Sequence, residues 1–177
     1  MNIRILYLLV VEKILILFGK DAMKYKLKRY RLYGAKIGRN VRAFSPISSA
    51  EPYLITVGDN VTVATNVRFI THDNSAIKIY DDATDFVGPI EIGNNVFIGA
   101  GSIILPGVKI SDYCIVGAGS IVCKSVEVSG SVIGGNPAKI IGNIDTMKEK
   151  YIDKKFDFSR KNRKIEILNH PEKWIIK

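Results

Sequence analysis

From Ile92 to Val128 an aliphatic residue returns at every sixth position: Ile92, Ile98, Ile104, Ile110, Val116, Val122 and Val128 keep one phase. Four places after each comes a second, small or branched residue: Val96, Ser102, Val108, Cys114, Ser120, Val126 and Val132. Turn-forming pairs lie between the two sets, at Asn94-Asn95, Ala100-Gly101, Pro106-Gly107 and Ala118-Gly119. Pro-Gly and Ala-Gly suit a type II turn, whose second central residue needs positive φ. A period of six excludes an amphipathic helix, in which apolar residues fall three and four apart. Each unit is instead a short strand and a corner. Equal units coil into an all-β solenoid of three faces, whose rungs stack and turn both residue sets inward.

The run IGNNVFIGAGSIILPGVKISDYCIVGAGSIVCKSV, followed by IGGNPAKIIG, resembles the hexapeptide-repeat acyltransferases, in their sugar and polysaccharide O-acetyltransferase branch. The resemblance covers residues 37–142. It implies a left-handed parallel β-helix, acetyl-CoA as acyl donor with no metal, and a homotrimer of parallel coils holding the cofactor in the clefts between neighbours. Neither the hand of the coil nor coenzyme A follows from spacing.

The net charge of +9 is unevenly spread. Residues 1–40 hold ten Lys/Arg against two acids, residues 41–144 six against nine, and residues 145–177 ten against six. The repeats are therefore mildly acidic and both ends basic. A basic balance suits nucleic acid, an anionic membrane surface or phosphorylated ligands, but no nucleic-acid motif is present and the cations lie outside the repeats. Cys114 falls on an inward position, where a small apolar thiol packs well. With no cleavage site for a signal peptide, a reducing cytoplasmic location is expected for Cys114 and Cys123.

Along the chain, residues 1–36 form a leader, 37–142 the coil and 143–177 an extension. The apolar stretch Ile3 to Phe18 is interrupted by Arg4 and by Glu12-Lys13, and falls short of the roughly 20 apolar residues of a membrane span. A helix ending near Gly19 fits it. Lys24, Lys26, Lys28, Arg29 and Arg31 then alternate with Tyr25, Leu27, Tyr30 and Leu32. The leader has two readings: a cap on the open end of the coil or on a partner subunit, or a peripheral contact with the inner leaflet, lysines on anionic headgroups. Repeats begin weakly at Ile37-Gly38-Arg39-Asn40-Val41 and lose phase between Ala43 and Ile55, where Pro46, Ser48, Ser49 and Pro52 indicate an irregular rung. They resume at Val57, Val63 and Phe69. From Phe69 to Ile92 is not a whole number of units, so residues 71–89 leave the coil as a loop. In the tail, Lys148, Lys150, Lys154, Lys155, Arg160, Lys161, Arg163 and Lys164 mix with Tyr151, Phe156 and Phe158; Pro171 prevents one continuous helix to the end.

The loop holds His72, the single histidine of the repeat region. A lone histidine is more often structural, but its place at the exit of a rung matches the active-site pattern of the family that the chain resembles. Acetyl transfer to a hydroxyl needs a base to take the alcohol's proton, and imidazole titrates near the working pH. It also needs a donor for the oxyanion and both substrates held in orientation. His72 would be that base in a direct transfer, its second ring nitrogen held by a backbone carbonyl or by Glu91, Asp73 or Asp85. The resemblance places Ala100 and Ala118 against the pantetheine arm, Lys124 and Lys139 near the phosphates, and the Gly134–Lys139 corner over the cofactor. Phe97 stands where tryptophan is common, and Cys123 where threonine is usual. His170, before Pro171, reads as a surface residue.

Rival readings are N-acetyl transfer to a nucleotide-linked amino sugar, O-acetyl transfer to serine, and a non-catalytic scaffold. A cysteine nucleophile has no base near it in sequence. A zinc carbonic anhydrase on the same coil needs three histidine ligands, and this chain has two histidines.

Overall fold

A computed structural model describes residues 3–159 and 162–175; Arg160 and Lys161 of the tail lie outside the described residues. Two helices, α1 (Ile3–Leu17) and α2 (Met23–Leu32), precede the strands β1 (Lys36–Ile37), β2 (Arg42–Ala43), β3 (Ile55–Val57), β4 (Thr62–Val63) and β5 (Arg68–Phe69). An excursion carries β6 (His72–Asp73) and β7 (Phe86–Val87). There follow β8 (Ile90–Ile92), β9 (Phe97–Ile98), β10 (Ile103–Ile104), β11 (Lys109–Ile110), β12 (Ile115–Val116), β13 (Ile121–Val122), β14 (Ser131–Gly135) and β15 (Ala138–Asn143), then α3 (Ile144–Lys150) and α4 (Arg163–Asn169).

The strands fall on three faces that the chain visits in rotation. The first face is β1, β3, β8 and β11; the second is β2, β4, β9, β12 and β14; the third is β5, β10 and β13, every neighbouring pair among these parallel. Side chains alternate across each short strand, and the inward ones build one continuous core that includes Ile47, Ile55, Ile90, Ile98, Ile104 and Ile110. Corners turn on residues with positive φ, among them Asn95, Gly101, Gly107 and Gly119, as the turn-forming pairs predict.

Turn length varies, and the variation shapes the molecule. One full turn is 18 residues where Ile103 pairs with Ile121, but 35 where Arg68 pairs with Ile103; the excess is the excursion. The last turn is short. Ile110 bridges to Val126 and Val116 pairs with Ile133, so the expected inward phase slips after Val126. Val128, predicted inside, is 62% exposed, while Val126 is only 7% exposed and Ile133 replaces Val132 in the core. The cause is a side chain standing in for backbone. In the turn below, Glu91 N–H donates to the carbonyl of Val108, whereas Lys109 N–H donates to Ser125 Oγ at 3.0 Å, which closes the corner with fewer residues.

Both ends of the coil are covered. Leu27 and Tyr30 of α2 join the coil's core, Lys26 Nζ donates to Ala43 O at 2.8 Å, and Arg31 donates to Ile37 O and Gly38 O. The alternating basic and apolar residues 24–32 are thus a helix that seals the first rung. Burial pushes the Lys26 ammonium pKa down. The other helix, α1, packs on α2 through Ile5 and Leu8 and through a Glu12–Arg29 ion pair at 2.9 Å. At the far end β14 turns back into antiparallel β15 around residues 135–138. Among the described residues no helix is long and apolar enough to cross a membrane.

Candidate active site

Residues 71–89 leave the coil between its third and first faces. The excursion is a hairpin: His72 pairs with Val87 and Asp73 with Phe86, and Gly88 N–H donates to Thr71 O at 2.9 Å. Its tip is fixed by Asp73, which accepts from Ser75 N, and by Asn74, whose side-chain amide donates to Thr84 O. Gly88 returns the chain to the coil where a Cβ would stand 2.5 Å from Gly107 N. Only glycine lets those two turns stack so closely.

Beneath the hairpin runs the irregular rung, and it supplies the partner of His72. Glu51 Oε2 lies 2.9 Å from His72 Nδ1 and 2.6 Å from Thr71 Oγ1. Thr71 Oγ1 is also 2.7 Å from Ser49 Oγ, which accepts from Thr71 N–H at 3.2 Å. A carboxylate can only accept, so the Thr71 proton points to Glu51. Hydrogen bonds from Thr71 and then His72 hold the Glu51 pKa below its usual 4.5, and the carboxylate is ionised at neutral pH. It therefore fixes the proton of neutral His72 on Nδ1 and leaves Nε2 as the unprotonated, accepting nitrogen. The imidazole is 37% exposed. Its pKa is raised above 6.5, first by the hydrogen bond and charge of Glu51, against partial desolvation, with smaller pulls from Asp85 and Asp73.

The orienting group thus differs from the three acids expected. Asp73 is turned onto Ser75 N, Asp85 accepts from Asn74 Nδ2 at 3.3 Å, and Glu91 lies on the first face beside Thr56 and Lys109. The missed residue was within reach of the sequence. Pairing of Lys36 with Thr56 and Arg42 with Thr62 makes the first turn 20 residues long, which puts position 51 under position 71.

The proposed cofactor contacts divide between two edges. Ala100 and Ala118 occupy successive corners between the second and third faces; both are exposed, and Gly119 N–H donates to Ala100 O at 2.8 Å. Lys139 stands opposite Gly134 on the terminal hairpin, and Gly134 lies over Gly117 on that same edge. Lys124 follows β13 on the edge between the third and first faces, the edge that carries His72. Within one chain, the third face separates His72 from Ala100 and Ala118. Cys114 is buried, and burial raises its thiol pKa, which leaves it a poor nucleophile. No group of three or more His, Cys, Asp or Glu able to hold a metal occurs among the described residues.

The family described as bacterial transferase hexapeptide (six repeats) matches residues 89–124. Protein CapG of Staphylococcus aureus is 42% identical over 152 residues, a match covering 80% of this chain and 86% of that protein. Among solved structures, a galactoside acetyltransferase in complex with coenzyme A superposes with a TM-score of 0.57 at 29% identity, over 69% of this chain and 72% of the other. A maltose O-acetyltransferase from Clostridium difficile 630 gives 0.53 at 28% identity, over 70% and 77%. Coil, excursion and likenesses together define an acyltransferase. The chain belongs to the hexapeptide-repeat transferase family.

Proposed function

We propose that the protein is an acetyl-CoA-dependent O-acetyltransferase that modifies a hydroxyl of a sugar or cell-surface glycan on the cytoplasmic side of the membrane. The observation that carries this reading is the Glu51–His72 pair at the exit from the coil. His72 Nε2 takes the proton as the acceptor oxygen attacks the thioester carbonyl. The C–S bond then breaks, and the coenzyme thiolate receives that proton from the imidazolium. The new C–O bond completes the acetyl ester with no covalent enzyme intermediate. Glu51 keeps the Nδ1 proton in place and stabilises the imidazolium between these steps.

The separation of His72 from Ala100, Ala118 and Lys139 supports a site shared between copies. A left-handed coil assembled as a cyclic homotrimer sets the His72 edge of one subunit against the corner edge of the next. The pantetheine arm then runs along Ala100 and Ala118, and Lys139 and Lys124 meet the phosphates from either side. The galactoside and maltose acetyltransferases among the likenesses favour a sugar hydroxyl as acceptor. The irregular rung at 43–55 and the excursion at 71–89 line its pocket.

The test is acetyl-CoA turnover, followed by thiol release and by mass spectrometry of the acceptor, across a panel of sugar hydroxyls, nucleotide-linked amino sugars and serine. An acetyl ester on a sugar is expected. An acetamide, or O-acetylserine alone, overturns the acceptor class.

A further inference from the structure

The outermost layer at the amino-terminal end is α1, and its free side is apolar. Ile3, Leu6, Tyr7, Val10, Ile14 and Leu17 are each at least 45% exposed. At about 100° per residue these six share an arc of roughly 100°. No charged residue falls within it, and Lys13 stands just beyond one edge. The opposite side of the helix, Ile5, Leu8 and Glu12, is engaged with α2. So α1 has two apolar sides, and one of them is covered.

Cations surround the uncovered side. Lys28 and Leu32 of α2 line a groove with Ile3 and Tyr7, and Lys13, Lys20 and Lys24 are exposed. Both acids of residues 1–40 are occupied: Glu12 pairs with Arg29, and Asp21 accepts from Met23 N at the start of α2. Lys26 and Arg29 are engaged within the cap, which leaves Lys13, Lys20, Lys24 and Lys28 as the lysines of the two helices and their link that are exposed.

We propose that this face docks on an anionic lipid bilayer, with α1 lying in the plane of the interface, its apolar arc among the acyl chains and the lysines on the headgroups. A bilayer supplies both the apolar phase and the negative charge that the segment lacks. A second copy of the chain supplies only the first, since contact through α1 brings two strongly basic segments together. The inference stands on the leader and not on the catalytic reading. Where three coils stand parallel, three such helices share one end of the molecule, and weak single contacts add up by multivalency.

Flotation of the full-length protein with vesicles of phosphatidylglycerol and phosphatidylcholine, compared with phosphatidylcholine alone, tests it with no acetyl donor or acceptor present. Binding to the anionic vesicles is expected, weaker at high salt and at least about tenfold weaker for the double variant Val10→Glu, Ile14→Glu. Both positions are half-exposed, so the variant keeps its fold, its oligomeric state and its thiol-release activity. Three results overturn the proposal: wild type that does not float, a double variant that floats equally well, or a double variant that falls to a smaller oligomer, which makes the face a contact between copies.

Discussion

Glu51 Oε2 stands 2.9 Å from His72 Nδ1, joining the irregular first turn of the coil to the hairpin that leaves the second. The two residues are far apart in sequence, and a 20-residue turn stacks them. Because the carboxylate raises the imidazole pKa, it both orients the ring and delays its deprotonation as pH rises.

Glu51→Gln keeps a side chain of the same shape without the charge. With neutral His72 as the proposed base, kcat/KM is expected to rise with pH through the His72 pKa. Loss of the carboxylate lowers that pKa, and the ascending limb moves to lower pH. The plateau falls by about ten- to a hundredfold, because tautomer and imidazolium lose their partner. A lower plateau with an unmoved limb shows that Glu51 is only part of the local fold.

The proposed sharing of the site between copies predicts that inactive variants complement each other. His72→Ala removes the base, and Ala118→Glu places a charge at the exposed corner where pantetheine is expected. Co-expressed in equal amounts, the two restore activity to about a quarter of wild type, the fraction of subunit junctions with an intact base facing an intact corner. A site built from one chain gives no recovery.

Two glycines separate crowding from backbone conformation. A Cβ on Gly99 would stand 2.5 Å from Ala118 N, whereas one on Gly119, at φ +69°, meets nothing within 4 Å. Gly119→Ala costs about 1–2 kcal/mol for its left-handed conformation. Gly99→Ala costs more, since two stacked turns must part, and it weakens coenzyme A binding through the displaced Ala118 corner. Thermal denaturation and calorimetric titration of both variants check this.

The slipped phase also has a direct test. Val126→Ala removes buried methyl groups and destabilises by about 1–3 kcal/mol, while Val128→Ala stays within about 0.5 kcal/mol of wild type. Strict six-residue spacing demands equal losses. Denaturant midpoints of the two variants decide.

That pair marks how far the sequence is legible. From Ile92 to Val126 the period alone names the buried residues, because successive turns of 18 residues keep one register. It fails after Val126, where the Ser125 side chain takes the place of a carbonyl, a substitution that hydropathy does not register. His72 stands out by its isolation at the exit of a rung. Glu51 does not stand out locally, because its role appears only when the 20-residue offset of the first turn stacks the irregular rung under the hairpin. The alternating residues 24–32 lie on a helix whose Leu27 and Tyr30 share one face and seal the core, which is the capping reading of the leader.

The central claim is that His72 is the base of the transfer, and the rate of acetyl transfer by His72→Ala at saturating acetyl-CoA measures it most directly. The imidazole is more than a third exposed, so its removal leaves the coil folded and coenzyme A bound with unchanged affinity. Turnover is expected to fall by about 10²- to 10⁴-fold. Turnover within twofold of wild type, with coenzyme A binding intact, contradicts the account.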